Sequence, residues 1–157
     1  IETQSRETLT RWAAAYAKEQ YLPLIKEEPE IFHQMEQTIS AVEGFLNKEM
    51  TLKELKPVLA SARSAAKELA DSHAADPVAL ATARAVSTAC ATAQTPTNAF
   101  GFLLYGAAAC AYHSAGLSEA AATYDRLAEE ELQRALQSLQ AAAVLDEAHP
   151  VSIRWNC

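Results

Sequence analysis

Glycine, cysteine and positive charge are all scarce in this 157-residue chain. Four glycines are too few for the turns of a sheet protein of this size, and β-branched residues are also sparse. An all-β domain is excluded and an α/β domain disfavoured. Collagen-like, low-complexity and disulfide-framework chains are excluded as well. The three cysteines are an odd number without metal-type spacing. Cys90 and Cys110 fall in apolar helical stretches, where a thiol acts as a small hydrophobe, and Cys157 is the last residue. A reducing, cytoplasmic setting is expected. The opening Ile-Glu-Thr-Gln-Ser is not a charged-then-apolar leader, so no signal peptide is expected.

Thirteen Lys and Arg stand against twenty Asp and Glu, a net charge of −7. Nucleic acids and anionic membranes need a basic surface to displace counterions, so neither is an expected partner. A basic partner is suited instead. The longest purely apolar run, Ala99 to Tyr112, is too short to span a bilayer.

Alanine and leucine fill the space that the other residues leave. There are 34 alanines and 17 leucines, the strongest pair of helix formers. The expected architecture is a single all-α domain over residues 1–157, a bundle of about six helices with an irregular tail from about residue 147. The first helix runs from Thr8 toward Gln20, and Pro23 forces a break before Glu27. The second opens near Pro29 and carries the stripe Phe32, Met35, Ile39, Val42 and Leu46. Thr51 and Glu54 form a capping-box pattern ahead of Leu52, Leu55, Leu59, Ala62, Ala66, Leu69 and His73, although Pro57 predicts a kink or a later start. Asp76-Pro77 caps a fourth helix reaching about Gln94. A fifth runs from Pro96 to about Ala115 and is closed by Gly116. Ser118 and Glu119 open the sixth, whose expected buried face is Tyr124, Leu127, Leu132, Leu136, Leu139 and Ala143.

Between Pro77 and Ser118 the only formal charge is Arg84. Charged side chains are rarely buried, so the fourth and fifth helices are expected to form a central apolar hairpin wrapped by the others, with Ala108 inside it. Gly101 and Gly106 would let helix axes approach closely.

Chemistry-bearing patterns are sparse. Glu30-Ile-Phe-His33 has the spacing of a di-iron carboxylate ligand pair, but a solvated helix N-terminus is the simpler reading, and no metal or cofactor is expected. His73 and His113 sit at helix C-termini, where a cation suits the dipole, and His149 precedes a proline. Nucleophile elbows, Cys-x-x-Cys and phosphate loops are absent, so no enzyme activity is expected. From Glu27 to Asn47 there are five glutamates and no Lys or Arg. Glu36 and Glu43 lie two turns apart on one face, and the sixth helix adds Glu129, Glu130 and Glu131. If these helices are neighbours, an acidic surface results. An ordinary solvated face is the plainer account.

The run Arg11-Trp-Ala-Ala-Ala-Tyr-Ala-Lys-Glu-Gln-Tyr-Leu-Pro-Leu-Ile-Lys-Glu-Glu28 resembles the opening of a bacterial family of predicted immunity proteins, the fifth numbered one of polymorphic-toxin systems. Ala83 to Gly101, with its Thr-Pro-Thr segment, is similar to that family's Ala-rich centre. Phe45 to Leu52 resembles its second-to-third helix junction. The likeness covers roughly residues 8 to 115. It implies a non-enzymatic protein that binds and neutralises a toxin made by the same cell. An acidic face made of Glu36, Glu43, Glu129 and Glu130 would meet a basic toxin. In the family pattern histidines occupy the positions of Arg63, Thr88, Gln94 and Asn98. An alternative function, small-molecule binding or catalysis in a helical domain, would use those four as a polar pocket on the third helix and central hairpin.

Overall fold

In the computed structural model, residues 1–72 and 75–153 are described, and among them there are six α-helices and no strand. Helix α1 spans Arg6–Tyr16, two residues earlier than the apolar pattern predicts, because Ser5 supplies the cap: its hydroxyl accepts from the Thr8 N–H at 3.1 Å. The expected break before Glu27 is a change of winding. The chain widens from α1 into a π turn, Ala17–Tyr21, and then tightens into a 3₁₀ turn, Leu22–Ile25, that contains Pro23. Helix α2, Pro29–Leu46, buries Ile31, Met35, Thr38, Ile39, Val42 and Leu46, while Phe32 is only half-buried.

Helix α3, Leu52–Asp71, has the full capping box: Glu54 N–H donates to Thr51 Oγ1, and Thr51 N–H donates to Glu54 Oε2 at 2.8 Å. Pro57 neither delays nor breaks it. Pro57 and Lys53, whose carbonyl loses its helical donor, are both exposed, so water can serve that carbonyl. Helix α4, Pro77–Ala91, is capped by Asp76, which accepts from the Ala79 N–H at 3.1 Å. Helix α5, Asn98–Ala115, ends at Gly116 with φ of +72°, a backbone state that favours glycine. Helix α6, Ala121–Ala142, starts later than Ser118 and has no side-chain cap. Tyr124 orders the preceding loop instead, its hydroxyl accepting from the Glu119 N–H and donating to the Gly116 carbonyl at 2.9 Å. His73 lies outside the described residues.

The α4–α5 hairpin is the most densely packed helix pair of the fold. Helix α2 lies on α3, α4 and α1, and α6 lies on α5 and α1. No residue of α4 is exposed. Helix α5 differs from the wrapped helix expected from its lack of charge. Leu104 is 54% and Tyr105 40% exposed, and Ala108 is half-buried. Its uncharged sequence has two causes, a buried inner face and an apolar outer one. On α6, Leu136 is exposed, against expectation, because the burial phase runs through Glu131 and Ala135 instead, and Ala143 is exposed because the helix ends before it.

The segment after α6 is irregular from Ala143 to Ile153 and is tied to the N-terminus. Gln4 holds Val144 at both its N–H and its carbonyl, at 2.7 and 3.0 Å, and the Gln4 carbonyl accepts from Val151 N–H. Glu147 accepts from Ser5 N–H and the Thr8 hydroxyl, each at 2.6 Å. Hydrogen bonds from the Ser5 and Thr8 side chains, then from the Ser5 backbone, hold the Glu147 carboxyl below the usual range. A lowered folded pKa adds stability above the ordinary carboxylate range and loses it as pH falls through the lowered value. Acidification below the ordinary carboxylate range should therefore loosen this segment. The Val144 and Val151 amide resonances should move on acidification, and Glu147→Gln should move them the same way at neutral pH. Resonances unmoved by either change would show that Glu147 does not hold the tail.

Candidate functional site

The acidic stretches of α2 and α6 form two surfaces. Helix α1 packs against both helices, and each has otherwise different neighbours. On α2, Glu36 is exposed, with His33 Nδ1 3.6 Å from its carboxylate. Glu43 is half-buried and paired at 2.8 Å with Lys18 of the π turn, which neutralises part of its field. On α6, Glu130 pairs with Arg126 at 2.5 Å one turn earlier, and Glu129 is exposed. Glu36 and Glu129 have no Lys or Arg partner among the described residues.

Glu131 does not belong to either surface. It is fully buried, and its carboxylate accepts from two tyrosines and an arginine. The hydroxyls of Tyr16 and Tyr21 donate to its Oε1 at 2.9 and 2.8 Å, and Arg134 donates to its Oε2 through Nε and Nη2 at 3.1 and 2.6 Å. An α-helix would set Tyr16 and Tyr21 about 140° apart, since five residues turn it well past one revolution. The π turn, with its i to i+5 closure, brings both rings to one oxygen. The rings meet edge to face at 5.6 Å, and each also packs edge-on against Phe102. Both phenols are pushed up from their ordinary range, first by burial and then by the adjacent Glu131 carboxylate, so they remain donors. The Cys110 thiol beside them is pushed up to about 12 by burial and by Glu131, and Cys90 to about 12 chiefly by burial. Neither cysteine is an activated nucleophile.

The polar set on α3 and the hairpin is partly assembled. Arg63 Nη2 donates to Gln94 Oε1 at 3.2 Å near the surface. Thr88 faces Gly101, its methyl 3.6 Å from where a Cβ would stand. Asn98 is half-buried at the start of α5. Among the described residues, five surface clefts are lined by other residues, one of them between α5 and α6. Of the histidines, His33 and His113 are exposed, and His149 lines a cleft beside Ser5 and Arg6. Among the described residues no three His, Cys, Asp or Glu side chains stand close enough to hold a metal ion. No helix of the described residues is long and apolar enough to cross a membrane.

No curated protein and no solved structure matches the chain. A family model does match, over residues 1–142, which takes in all six helices and ends with the last residue of α6. This extends the resemblance of residues 8 to 115 through the final helix. The chain belongs to the family described as Imm-5 like putative immunity protein.

Proposed function

We propose that this protein binds and neutralises a toxin made by the same cell, acting by occupation of a surface and not by catalysis. Family membership over residues 1–142 carries the reading. The net charge of −7 and thiols held far from reactivity agree with it. The proposed partner is a basic protein toxin that meets exposed carboxylates on α2 and α6. Glu36 and Glu129 contribute most to the long-range field, because Lys18 and Arg126 offset Glu43 and Glu130.

Electrostatic complementarity acts mainly on the rate of association and on selectivity. Glu36→Lys with Glu43→Lys should slow association with the toxin encoded beside this gene by roughly tenfold and flatten its salt dependence. Folding should change little, since exposed ion pairs contribute about 0–1 kcal/mol. Association rates at several salt concentrations, together with growth rescue on co-expression, provide the check. Neutralisation that survives the double reversal with unchanged rates would remove α2 from the interface. A neighbouring toxin that the wild-type protein fails to neutralise would end the immunity reading.

A further inference from the structure

The outer face of α5 and the adjoining face of α6 form an open groove of about 630 Å³. Its floor is alanine, with Ala107, Ala108 and Ala111 on α5 facing Ala121 and Ala128 on α6. Small side chains on a groove floor allow a third helix axis to come close. The walls are aliphatic and aromatic, with Tyr112 and Tyr124 meeting edge to face at 5.8 Å at one end. Leu104 at 54% and Leu117 at 59% are exposed, and Leu132 lines the inner side. Leu136, 55% exposed, lies one turn beyond Leu132 on the same face of α6 and prolongs the strip. Exposed aliphatic residues clustered along one channel, and not scattered singly, mark an interaction site.

The charges decide what fits. Among the described residues no lysine or arginine lines the groove, and the one formal charge there is the Asp125 carboxylate. Glu129, one turn along α6 on the same strip, adds a second exposed carboxylate. Both stand on the α6 side. An occupant therefore needs large aliphatic anchors facing the alanine floor and cations on the flank that faces α6. A second copy of this chain meets that description poorly, since it brings a net charge of −7 and the same two carboxylates. We infer that the α5–α6 groove receives an amphipathic helix of a protein partner, with leucine-type anchors at i, i+3 or i+4 and i+7 and lysine or arginine along one edge. This is the helix-in-groove mode of recognition. The inference rests on the reading that the protein acts by binding a protein, and it names a different surface from the acidic face of α2.

The probe is a synthetic helical peptide of 18 residues, the length of α5, with leucines at helical spacing and lysines on one flank. Two controls accompany it: one of identical composition with the leucines scattered around the helix, and one with glutamates replacing the lysines. Titration followed by amide resonances should show the first peptide perturbing Leu104, Ala108 and Leu132 and binding more tightly than both controls. Leu104→Asp and Leu136→Asp, at positions already exposed, should each weaken it by at least about tenfold while leaving the helical spectrum intact. Asp125→Lys should shift preference toward the glutamate peptide.

Equal binding by the scattered peptide would mean charge attraction alone and would overturn the inference. So would sedimentation showing self-association of the wild-type chain that Leu104→Asp abolishes, because the occupant would then be a second copy. Toxin neutralisation left intact by Leu104→Asp and Leu136→Asp would discard the groove and leave the immunity function standing.

Discussion

Gly106→Ala should destabilise the fold by roughly 2–4 kcal/mol, although alanine is the better helix former by about 1 kcal/mol. A Cβ on Gly106 would stand 2.0 Å from Tyr21 Cζ and 2.3 Å from its Cε2 and hydroxyl oxygen. Such contacts are cheap when a side chain can swing away. Tyr21 cannot, being fully buried, held at 2.8 Å by Glu131, and packed edge-on against Tyr16 and Phe102. The ring must leave its acceptor or α5 must move off the π turn, and either course disturbs the aromatic cluster. Gly101→Ala is the matched control. Its Cβ would meet the Thr88 methyl at 3.6 Å, an ordinary contact, so the helix-propensity gain should emerge with little opposing it. Urea denaturation of the two variants should give shifts of opposite sign. A stabilised Gly106→Ala protein would mean that Tyr21 has somewhere else to go.

These glycines illustrate what the sequence could and could not disclose. Two glycines in an Ala-rich helix suggest close approach of helix axes, but at Gly106 the visitor is a tyrosine ring from the turn after α1. Nothing near Gly106 in sequence points to Tyr21, because the contact depends on a π turn that brings Tyr16 and Tyr21 to the same side. Local signals with a one-turn range were legible. The Thr51–Glu54 capping box, the Asp76-Pro77 start and the Gly116 stop each depend on groups within a few residues, and all three are present. The stripe of α2 was legible for a related reason, since helical spacing alone sets which residues share a face.

Charge patterning was more ambiguous. An uncharged stretch from Pro77 to Ser118 is consistent with burial, and for α4 burial is the cause. For α5 the same absence conceals an exposed apolar face, visible only once α6 is seen to cover one side of it. Three consecutive glutamates on α6 looked like a single acidic patch. Neighbouring helical residues turn by about 100°, so three in a row must point in different directions. Glu131 stands four residues after Leu127 and four before Ala135, and that phase was the available sign of its burial. The candidate surface residues Glu36 and Glu129 were legible as exposed, whereas the pairing of Glu43 with Lys18 arises from tertiary contact between α2 and the π turn.

Glu131→Ala should cost about 3–5 kcal/mol, a large share of the 5–15 kcal/mol that holds a typical domain together. The substitution removes the acceptor of two phenol hydroxyls that sit at the centre of the aromatic cluster, and unsatisfied buried donors cost about 1–3 kcal/mol each. Arg134 adds less to the loss than its two hydrogen bonds suggest, because its side chain is 61% exposed and water can replace the carboxylate. Glu131→Gln keeps the size and an acceptor oxygen, so it should fall between wild type and the alanine variant. The decisive comparison is Glu131→Leu alone against Glu131→Leu combined with Tyr16→Phe and Tyr21→Phe. Alone, the leucine leaves both hydroxyls stranded; in the triple variant donors and acceptor disappear together, and apolar replacement of a complete buried polar group is often nearly neutral. Denaturation of the four proteins should therefore show the triple variant recovering most of what Glu131→Leu loses. A triple variant less stable than the single one would show that the phenols stabilise the cluster through other partners, and that Glu131 is not what fixes α6 to the turn after α1.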